Sequence, residues 1–155
     1  MQEISHSLDR LQHALEAAPQ IASEARRAAL SEAGQAIRSA VVGRLGGTGR
    51  IARYQEVYVG TGGGYTAVRP VAKTEIQTSR KRKDAAGYVT NSIESGHAIR
   101  RPGPNSRRKS RAVMAAVRGK YMYMDTERFD ADRIAAEVGR KIVDAVENHL
   151  KEASA

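Results

Sequence analysis

The stretch that decides the fold is DADRIAAEVGRKIVDAVENHL, residues 130–150. Its apolar residues recur at four-residue steps from Ile134 to Leu150, which places them on one slowly drifting face of a helix. Asp130 stands where an N-cap residue accepts amide hydrogens from the first turn, and Asp132 adds negative charge near the positive end of the helix dipole. The pattern predicts a C-terminal amphipathic helix over residues 126–155.

A second helical pattern occupies residues 4–45. Apolar positions three to five residues apart form a stripe from Leu8 to Leu45, and this stripe narrows to alanine in its middle. Pro19 removes an amide donor, so the sequence predicts either two helical pieces or one kinked rod. The glycine pair that begins at Gly46 ends the pattern.

Between the helices, residues 51–72 alternate with a period of two on both sides of the glycine-rich turn Gly60–Gly64. Such alternation around a turn predicts a β-hairpin. The turn lacks the third glycine of a dinucleotide fingerprint and the Lys-Ser/Thr of a phosphate-binding loop. A strand follows it rather than a helix N-terminus, so we do not expect phosphate chemistry here.

The rest of the middle region gives weaker signals. Residues 77–87 and 100–111 are predicted to be loops, the second kept extended by its prolines and glycine. The segment from Tyr88 to Ile99 fits either a strand or a short helix. The run Tyr121–Met124 is predicted to be a strand or extended chain, with both tyrosines on one face and both methionines on the other.

Positive charge is concentrated in residues 73–120, which hold 13 Lys+Arg and 3 Asp+Glu, whereas the other 107 residues balance at −1. Such a segment favours polyanions, nucleic acid before anionic membrane, although a solvated loop explains it equally well. The candidate residues for contact with a polyanion or a protein partner are Arg80, Lys81, Arg82, Lys83, Arg100, Arg101, Arg107, Arg108 and Lys109.

The core of this chain is expected to be thin. Leu, Ile, Val and Phe make up 28 of 155 residues, about 18%, while 25 residues are alanine. We therefore predict a single domain, 1–155, completed by neighbouring subunits, with a helical arm (1–46), a β-rich region with basic loops (51–125) and the C-terminal helix. No membrane span or signal peptide is expected.

The sequence gives no sign of catalysis. It has no cysteine, and its four histidines do not show the spacing of metal ligands. Glu94 and His97 are close in sequence, but no nucleophile or oxyanion donor accompanies them. Ser92 and Ser95 lack the glycine-flanked elbow of hydrolases. We expect neither an enzyme nor a bound cofactor or metal.

Two short motifs suggest a family. NSIESGHAIR (91–100) followed by a basic loop and then VRGKYM (117–122) resembles the minor tail and tail-completion proteins of long-tailed bacteriophages. The family has a motif like aromatic-x-x-x-(Val/Ile)-Glu-x-Gly-His-Arg and later a Val-x-Gly-(Arg/Lys)-(Phe/Tyr)-Met motif, between a long first helix and a final amphipathic helix. In this chain Ala98 and Ile99 stand between His97 and Arg100. The matching residues are Glu94, Gly96, His97, Gly119, Lys120, Tyr121 and Met122.

The resemblance implies an α+β fold in which both terminal helices pack on a small antiparallel sheet. It also implies a structural role in the virion, assembled in the host cytoplasm. Members form rings, usually of six or twelve subunits, at the head–tail junction or the proximal end of the tail. Their partners are connector or adaptor, tail-terminator and tail-tube proteins, and they surround the channel through which DNA passes. The alternative from the residues alone is a small basic nucleic-acid-binding protein.

Overall fold

The structure is a computed structural model of the chain, and it describes residues 2–46, 49–98 and 115–154. About 66% of the described residues are helix and 18% are strand, which confirms the predicted α+β class. The elements in chain order are α1 (Gln2–Leu45), α2 (Gly49–Ala52), β1 (Gln55–Val59), β2 (Thr66–Pro70), β3 (Glu75–Ser79), β4 (Arg82–Ala85), α3 (Ala86–Ser95), β5 (Gly96–His97), β6 (Val117–Arg118) and α4 (Met122–Ser154).

Helix α1 is continuous over 44 residues, which corresponds to a length of about 66 Å at 1.5 Å per residue. Pro19 lies inside it, so the prediction of two separate pieces is wrong. The helix ends at Leu45, and Gly46 follows with φ of +51°, as the predicted glycine stop requires. Within the part of the chain that the structure describes, no helix is long and apolar enough to cross a membrane.

The chain divides into two compact units. The first consists of Met1–Arg38, Val57–Val68 and Phe129–Ala155, and the second of Ser39–Glu56 and Arg69–Arg128. Both α1 and α4 therefore contribute residues to each unit.

In the first unit, small side chains let α1 and α4 pack closely. Ala29 and Ala33 of α1 are buried, as is Ile134 of α4, and all three line one narrow groove. Lys141 of α4 forms an ion pair with Glu32 of α1 at the edge of this groove. The alanine-rich middle of the predicted stripe is thus the helix-packing surface.

The predicted hairpin is confirmed as β1–β2, which pair in a two-stranded sheet. At its turn the Gly60 amide donates to the Tyr65 carbonyl at 3.0 Å, and the ring centroids of Tyr58 and Tyr65 lie 6.0 Å apart. In place of the single small sheet that we expected, the described residues form three separate two-stranded sheets.

Four predictions for residues 77–130 need correction or completion. Residues 77–87 are not a loop, because β3 and β4 pair antiparallel across them. The segment from Tyr88, which fitted a strand or a helix, lies in α3 up to Ser95 and then enters β5. Helix α4 begins at Met122, so the extended Tyr121–Met124 strip and the Asp130 N-cap are both wrong.

Candidate functional site

The residues that carry the family resemblance come together in the second unit, where α3 ends and α4 begins. There β5 and β6 pair antiparallel, with Gly96 opposite Arg118 and His97 opposite Val117. We call this region, residues 93–97 and 117–124, the α3–α4 junction.

Two glycines allow the two strands of the junction to touch. Gly96 has φ of +68° and ψ of −160°, a conformation almost confined to glycine. A Cβ atom on Gly96 would lie 2.2 Å from the Val117 carbonyl oxygen, and one on Gly119 would lie 2.2 Å from the Glu94 carbonyl oxygen. Both positions therefore exclude any side chain.

The close approach satisfies backbone groups at the end of α3. The Lys120 amide donates to the Ile93 carbonyl at 2.8 Å, and the Tyr121 amide donates to the Glu94 carbonyl at 3.1 Å. The last carbonyls of a helix have no partner within that helix. The β6–α4 connection supplies these partners in place of a conventional C-cap.

The Glu94 carboxylate in turn caps α4. Its Oε2 accepts from the Tyr123 amide at 3.1 Å and its Oε1 from the Met124 amide at 3.2 Å. These are the second and third residues of α4, whose amides lack intrahelical acceptors. A negative charge also suits the positive end of the helix dipole. One side chain at the end of α3 therefore fixes the start of α4.

Further contacts hold the first turn of α4 in place. Tyr121 has φ of +50°, an uncommon conformation for a residue with a side chain, and Met122 is completely buried. Thr126 donates through its hydroxyl to the Met122 carbonyl at 2.6 Å, and Arg44 of α1 donates to the same hydroxyl at 3.0 Å. The turn at Tyr121 is thus followed directly by a helical turn that burial of Met122 and a hydrogen bond from α1 hold in place.

A buried polar network lies beside the junction. The Tyr123 hydroxyl donates to Gln55 Oε1, and Gln55 Nε2 donates to Thr90 Oγ1 at 3.3 Å and to the Ile51 carbonyl at 3.4 Å. Gln55 and Thr90 are both buried, so each needs such a partner. The network ties β1, α3 and α4 together.

Burial, and then the negative charge of Glu94, raise the pKa of Tyr123 to about 12. In the unfolded chain the phenol ionises near its ordinary pKa of 10.0, so the folded state binds this proton more tightly. The stability that this provides is complete below pH 10 and is lost as the pH rises from about 10 to about 12.

We therefore expect the free energy of unfolding to fall over that pH interval by a contribution that Tyr123→Phe removes. Urea denaturation of both chains at several alkaline pH values measures the difference. Tyr88→Phe, which removes an exposed phenol, is the matched control. Parallel pH profiles for the wild-type chain and Tyr123→Phe would contradict the expectation.

The remaining motif residues do not form a reactive group. His97 is half-buried, with Nδ1 lying 3.0 Å from the Ala98 carbonyl oxygen, and Lys120 is exposed. Over residues 2–46, 49–98 and 115–154, no three His, Asp or Glu side chains lie together in a way that would hold a metal ion. The arrangement at the junction is one of packing and capping.

The first basic segment forms the tip of the β3–β4 hairpin, which we call the basic hairpin (residues 75–85). Arg80 and Lys81 lie in its turn, and Ser79 pairs with Arg82 and Gln77 with Lys83. All four basic side chains are exposed. The sequence predicts these residues to lie in a loop, and the strand pairing that carries them is visible only in the structure.

Arg82 differs from its three basic neighbours because Asp84 holds it. Its Nε and Nη2 atoms lie 2.8 and 2.7 Å from Asp84 Oδ1. The hydrogen bond from the Thr78 hydroxyl, followed by that from Arg82, lowers the pKa of Asp84 below its usual value. Asp84 likewise raises the pKa of Arg82. Arg82 is therefore paired with an acid of its own strand, whereas Arg80, Lys81 and Lys83 present the charge of the hairpin.

The second basic segment lies outside the described residues. Its candidate residues are Arg100, Arg101, Arg107, Arg108 and Lys109.

Comparisons with known proteins found no relative of this chain. No protein-family model, no curated protein and no solved structure matches the chain.

Proposed function

We propose that this chain is a structural virion protein of a long-tailed bacteriophage. It forms a ring at the head–tail junction or the proximal end of the tail, joins the head connector to the tail and surrounds the DNA channel. The observation that carries the proposal is the α3–α4 junction. The residues that resemble the tail-completion family lie together there, where they allow close backbone contact and cap a helix.

The chemistry of the junction supports a scaffold rather than an enzyme. Gly96 and Gly119 permit backbone contact, Glu94 caps a helix and Met122 fills the core. Each role fixes how α3 meets α4, and none supplies a nucleophile or an activated acid or base. A motif of this kind suits a protein whose task is to hold its shape within an assembly.

The distribution of apolar side chains supports assembly with neighbours. Among the described residues, four of the ten buried apolar residues are alanine, while ten large apolar side chains are exposed. A protomer that leaves so much apolar surface in water gains stability when further copies or partner proteins cover it. Connector or adaptor, tail-terminator and tail-tube proteins are the partners that this proposal implies.

The basic hairpin supports contact with a polyanion. Arg80, Lys81 and Lys83 offer positive charge on a braced hairpin, without an aromatic stacking surface. Contacts of this type bind phosphate without reading sequence, as a conduit for a whole genome requires. The acidic surface of an adjoining ring would satisfy the same charges.

We expect the charge of the basic hairpin to matter more than the identity of its residues. Arg80→Lys should leave assembly and DNA binding nearly unchanged, since each exposed pair contributes only about 0–1 kcal/mol. Reversing Arg80, Lys81 and Lys83 to glutamate together should weaken binding to double-stranded DNA of arbitrary sequence. For the triple variant, the magnitude of the slope of log K against log salt concentration should be smaller than for the wild-type chain by up to about three.

The control for this triple variant is Arg50→Glu/Arg53→Glu, which reverses two exposed arginines elsewhere in the second unit. Binding isotherms at several salt concentrations separate the two variants. Equal DNA binding and equal particle yield for the triple variant and the wild-type chain would show that the hairpin is merely solvated surface.

The experiment that tests the proposed function is particle assembly by a phage whose gene for this chain is interrupted. Electron microscopy is expected to show filled heads and separate tails that do not join. Supplying the wild-type chain from a plasmid should restore joined particles, with the chain present in the purified virion. Normal joined particles that lack the chain would contradict the proposal.

The exposed basic hairpin also favours a second candidate, a small nucleic-acid-binding protein that acts as a monomer. Such a protein would bind DNA or RNA tightly without assembling, with a steep salt dependence. A ring protein would instead bind DNA as an oligomer and enter the virion. The native mass of the DNA-bound form distinguishes the two.

A further inference from the structure

The end of the basic hairpin lies open to solvent on both faces. Residues 77–83 are all exposed, whereas Ile76 at the base of the hairpin is buried. The sequence of this end is QTSRKRK, which holds four cations, no acid and no large apolar side chain. We call residues 77–83 the basic tip.

The cations of the basic tip are distributed over both faces and the turn. Gln77 and Lys83 pair directly across the strands and so share one face, whereas Arg82 points to the opposite face because neighbouring residues of a strand alternate. Arg82 is paired with Asp84, yet its side chain is 63% exposed. Arg80 and Lys81 occupy the turn. Positive charge therefore surrounds the tip instead of forming one flat patch.

This arrangement favours a groove of duplex DNA over the flat acidic surface of a protein. A flat surface meets one face of the tip and leaves the cations of the other face in water. A groove of duplex DNA carries phosphates along both of its walls, so it can meet cations on both faces at once.

The dimensions of the tip fit the major groove. Its two strands lie about 4.8 Å apart, and the three residue steps from Gln77 to Arg80 span about 10 Å. The major groove of B-form DNA is about 12 Å wide and about 8.5 Å deep and admits a two-stranded β-ribbon. The minor groove is about 6 Å wide, and proteins that enter it frequently part the base pairs with apolar side chains. The basic tip has no such side chain.

The tip is held in shape before it meets a partner, and it is poorly equipped to read sequence. The Thr78 hydroxyl of β3 donates to Asp84 Oδ2 of β4 at 2.6 Å, so little conformational freedom is lost on binding. The side-chain amide of Gln77 donates to the Ser79 carbonyl, which draws it toward its own backbone and away from base edges. The remaining contacts are those of charge, which position a protein on DNA without selecting a sequence.

We propose that the basic tip enters the major groove of duplex DNA and places Arg80, Lys81 and Lys83 against the phosphates of the groove walls. The proposal rests on the proposed function, because it names how the chain contacts the DNA that its ring surrounds. It involves the second unit alone. The contact depends on the shape of B-form DNA as well as on its negative charge.

Methylation by dimethyl sulfate tests the groove directly, because the reagent attacks guanine N7 in the major groove and adenine N3 in the minor groove. In a short duplex of mixed sequence saturated with the full chain, methylation of guanine N7 should fall by about twofold or more, and methylation of adenine N3 should stay unchanged. Unchanged reactivity of guanine N7 in the complex would overturn the proposal. So would protection confined to adenine N3.

Duplex RNA of the same sequence gives a second readout. Its major groove is deep and too narrow for side chains to read, although its phosphates carry the same charge. The chain should therefore bind the DNA duplex at least about tenfold more tightly than the RNA duplex. Equal affinities for the two duplexes would mean that charge alone holds the tip and would overturn insertion into the groove.

A pair of charge-matched variants connects the protection to the tip. Arg80→Gln/Lys81→Gln should lose the protection of guanine N7 and bind DNA about tenfold more weakly at low salt. Arg50→Gln/Arg53→Gln also removes two exposed cations from the second unit and should keep the protection. Circular dichroism melting of both variants should match that of the wild-type chain, since the substituted side chains are exposed. Equal loss of protection in the two variants would contradict the role of the tip.

The outcomes separate this contact from the proposed function. A chain that joins heads to tails but leaves guanine N7 fully reactive keeps its role in the virion and loses only the groove contact. A tip variant that stops assembly while DNA binding is unchanged identifies an acidic protein surface as the partner of the tip and overturns the proposal. Protection of guanine N7 by a chain that particles do not need would support the groove contact and contradict the proposed function.

Discussion

Gly119→Ala is expected to destabilise the protomer by about 3 kcal/mol, at the upper end of the cost of overpacking. The new Cβ would lie 2.2 Å from the Glu94 carbonyl oxygen and 2.7 Å from the Ser95 carbonyl carbon, so backbone must move. Gly96→Ala should cost a similar amount, because it adds the strain of a positive φ to an overlap with the Val117 oxygen.

Urea denaturation followed by far-UV circular dichroism measures both effects. The matched control is Gly139→Ala in α4, where nothing lies within 4 Å of the new Cβ. A glycine inside a helix is less stable than alanine by about 0.5–1 kcal/mol, so this control should stabilise the protomer. If both junction variants unfold at the same urea concentration as the wild-type chain, the junction does not hold the fold together.

Glu94→Ala is expected to lower the free energy of unfolding by about 2 kcal/mol. The change leaves the Tyr123 and Met124 amides without their acceptor and removes a charge from the helix N-terminus. Glu94→Gln should cost less, because its amide oxygen still accepts one hydrogen bond while the charge is lost. The order wild type, glutamine, alanine is the signature of a cap.

The control for the cap is Glu127→Ala, which removes an exposed carboxylate from α4 one turn farther along. That variant should change the free energy of unfolding by no more than about 0.5 kcal/mol, as surface substitutions usually do. Hydrogen exchange of the Tyr123 and Met124 amides gives a local readout, since they should exchange faster only in the Glu94 variants. An equal loss for Glu127→Ala and Glu94→Ala would contradict the capping role.

The regular parts of this fold follow from local sequence. The period of four from Ile134 to Leu150 and the stripe from Leu8 to Leu45 predict the two long helices, because amphipathic spacing is set by the helix itself. The glycine turn between β1 and β2 is likewise a local signal. The two junction glycines stand out in the sequence, although only the fold reveals the backbone that each one contacts.

The start of α4 was not predictable from neighbouring residues. Tyr121, which precedes the helix, is not a capping residue, and the alternation of Tyr and Met suggests a strand. The cap is Glu94, nearly 30 residues earlier in the chain, brought there by the pairing of β5 and β6. Asp130 fits the local pattern of an N-cap, but the helix already begins at Met122. Tertiary contacts outweigh such weak local preferences.

The basic hairpin escaped prediction for a similar reason. Residues 75–85 are mostly charged or polar and lack the Asn-Gly or Asp-Gly turn of common hairpins. Pairing depends instead on burial of Ile76 and on the hydrogen bond from the Thr78 hydroxyl of β3 to Asp84 of β4. These contacts exist only once the hairpin has formed. From the sequence alone, the run of basic residues therefore predicts an open loop.

Assembly into a ring is the central claim, and the native mass of the purified full-length chain tests it most directly. Native mass spectrometry near neutral pH, over a range of protein concentrations, is expected to show one discrete oligomer that grows at the expense of the monomer. Electron micrographs of that species should show closed rings. A chain that remains monomeric at every concentration, with its helices intact by circular dichroism, would contradict the claim.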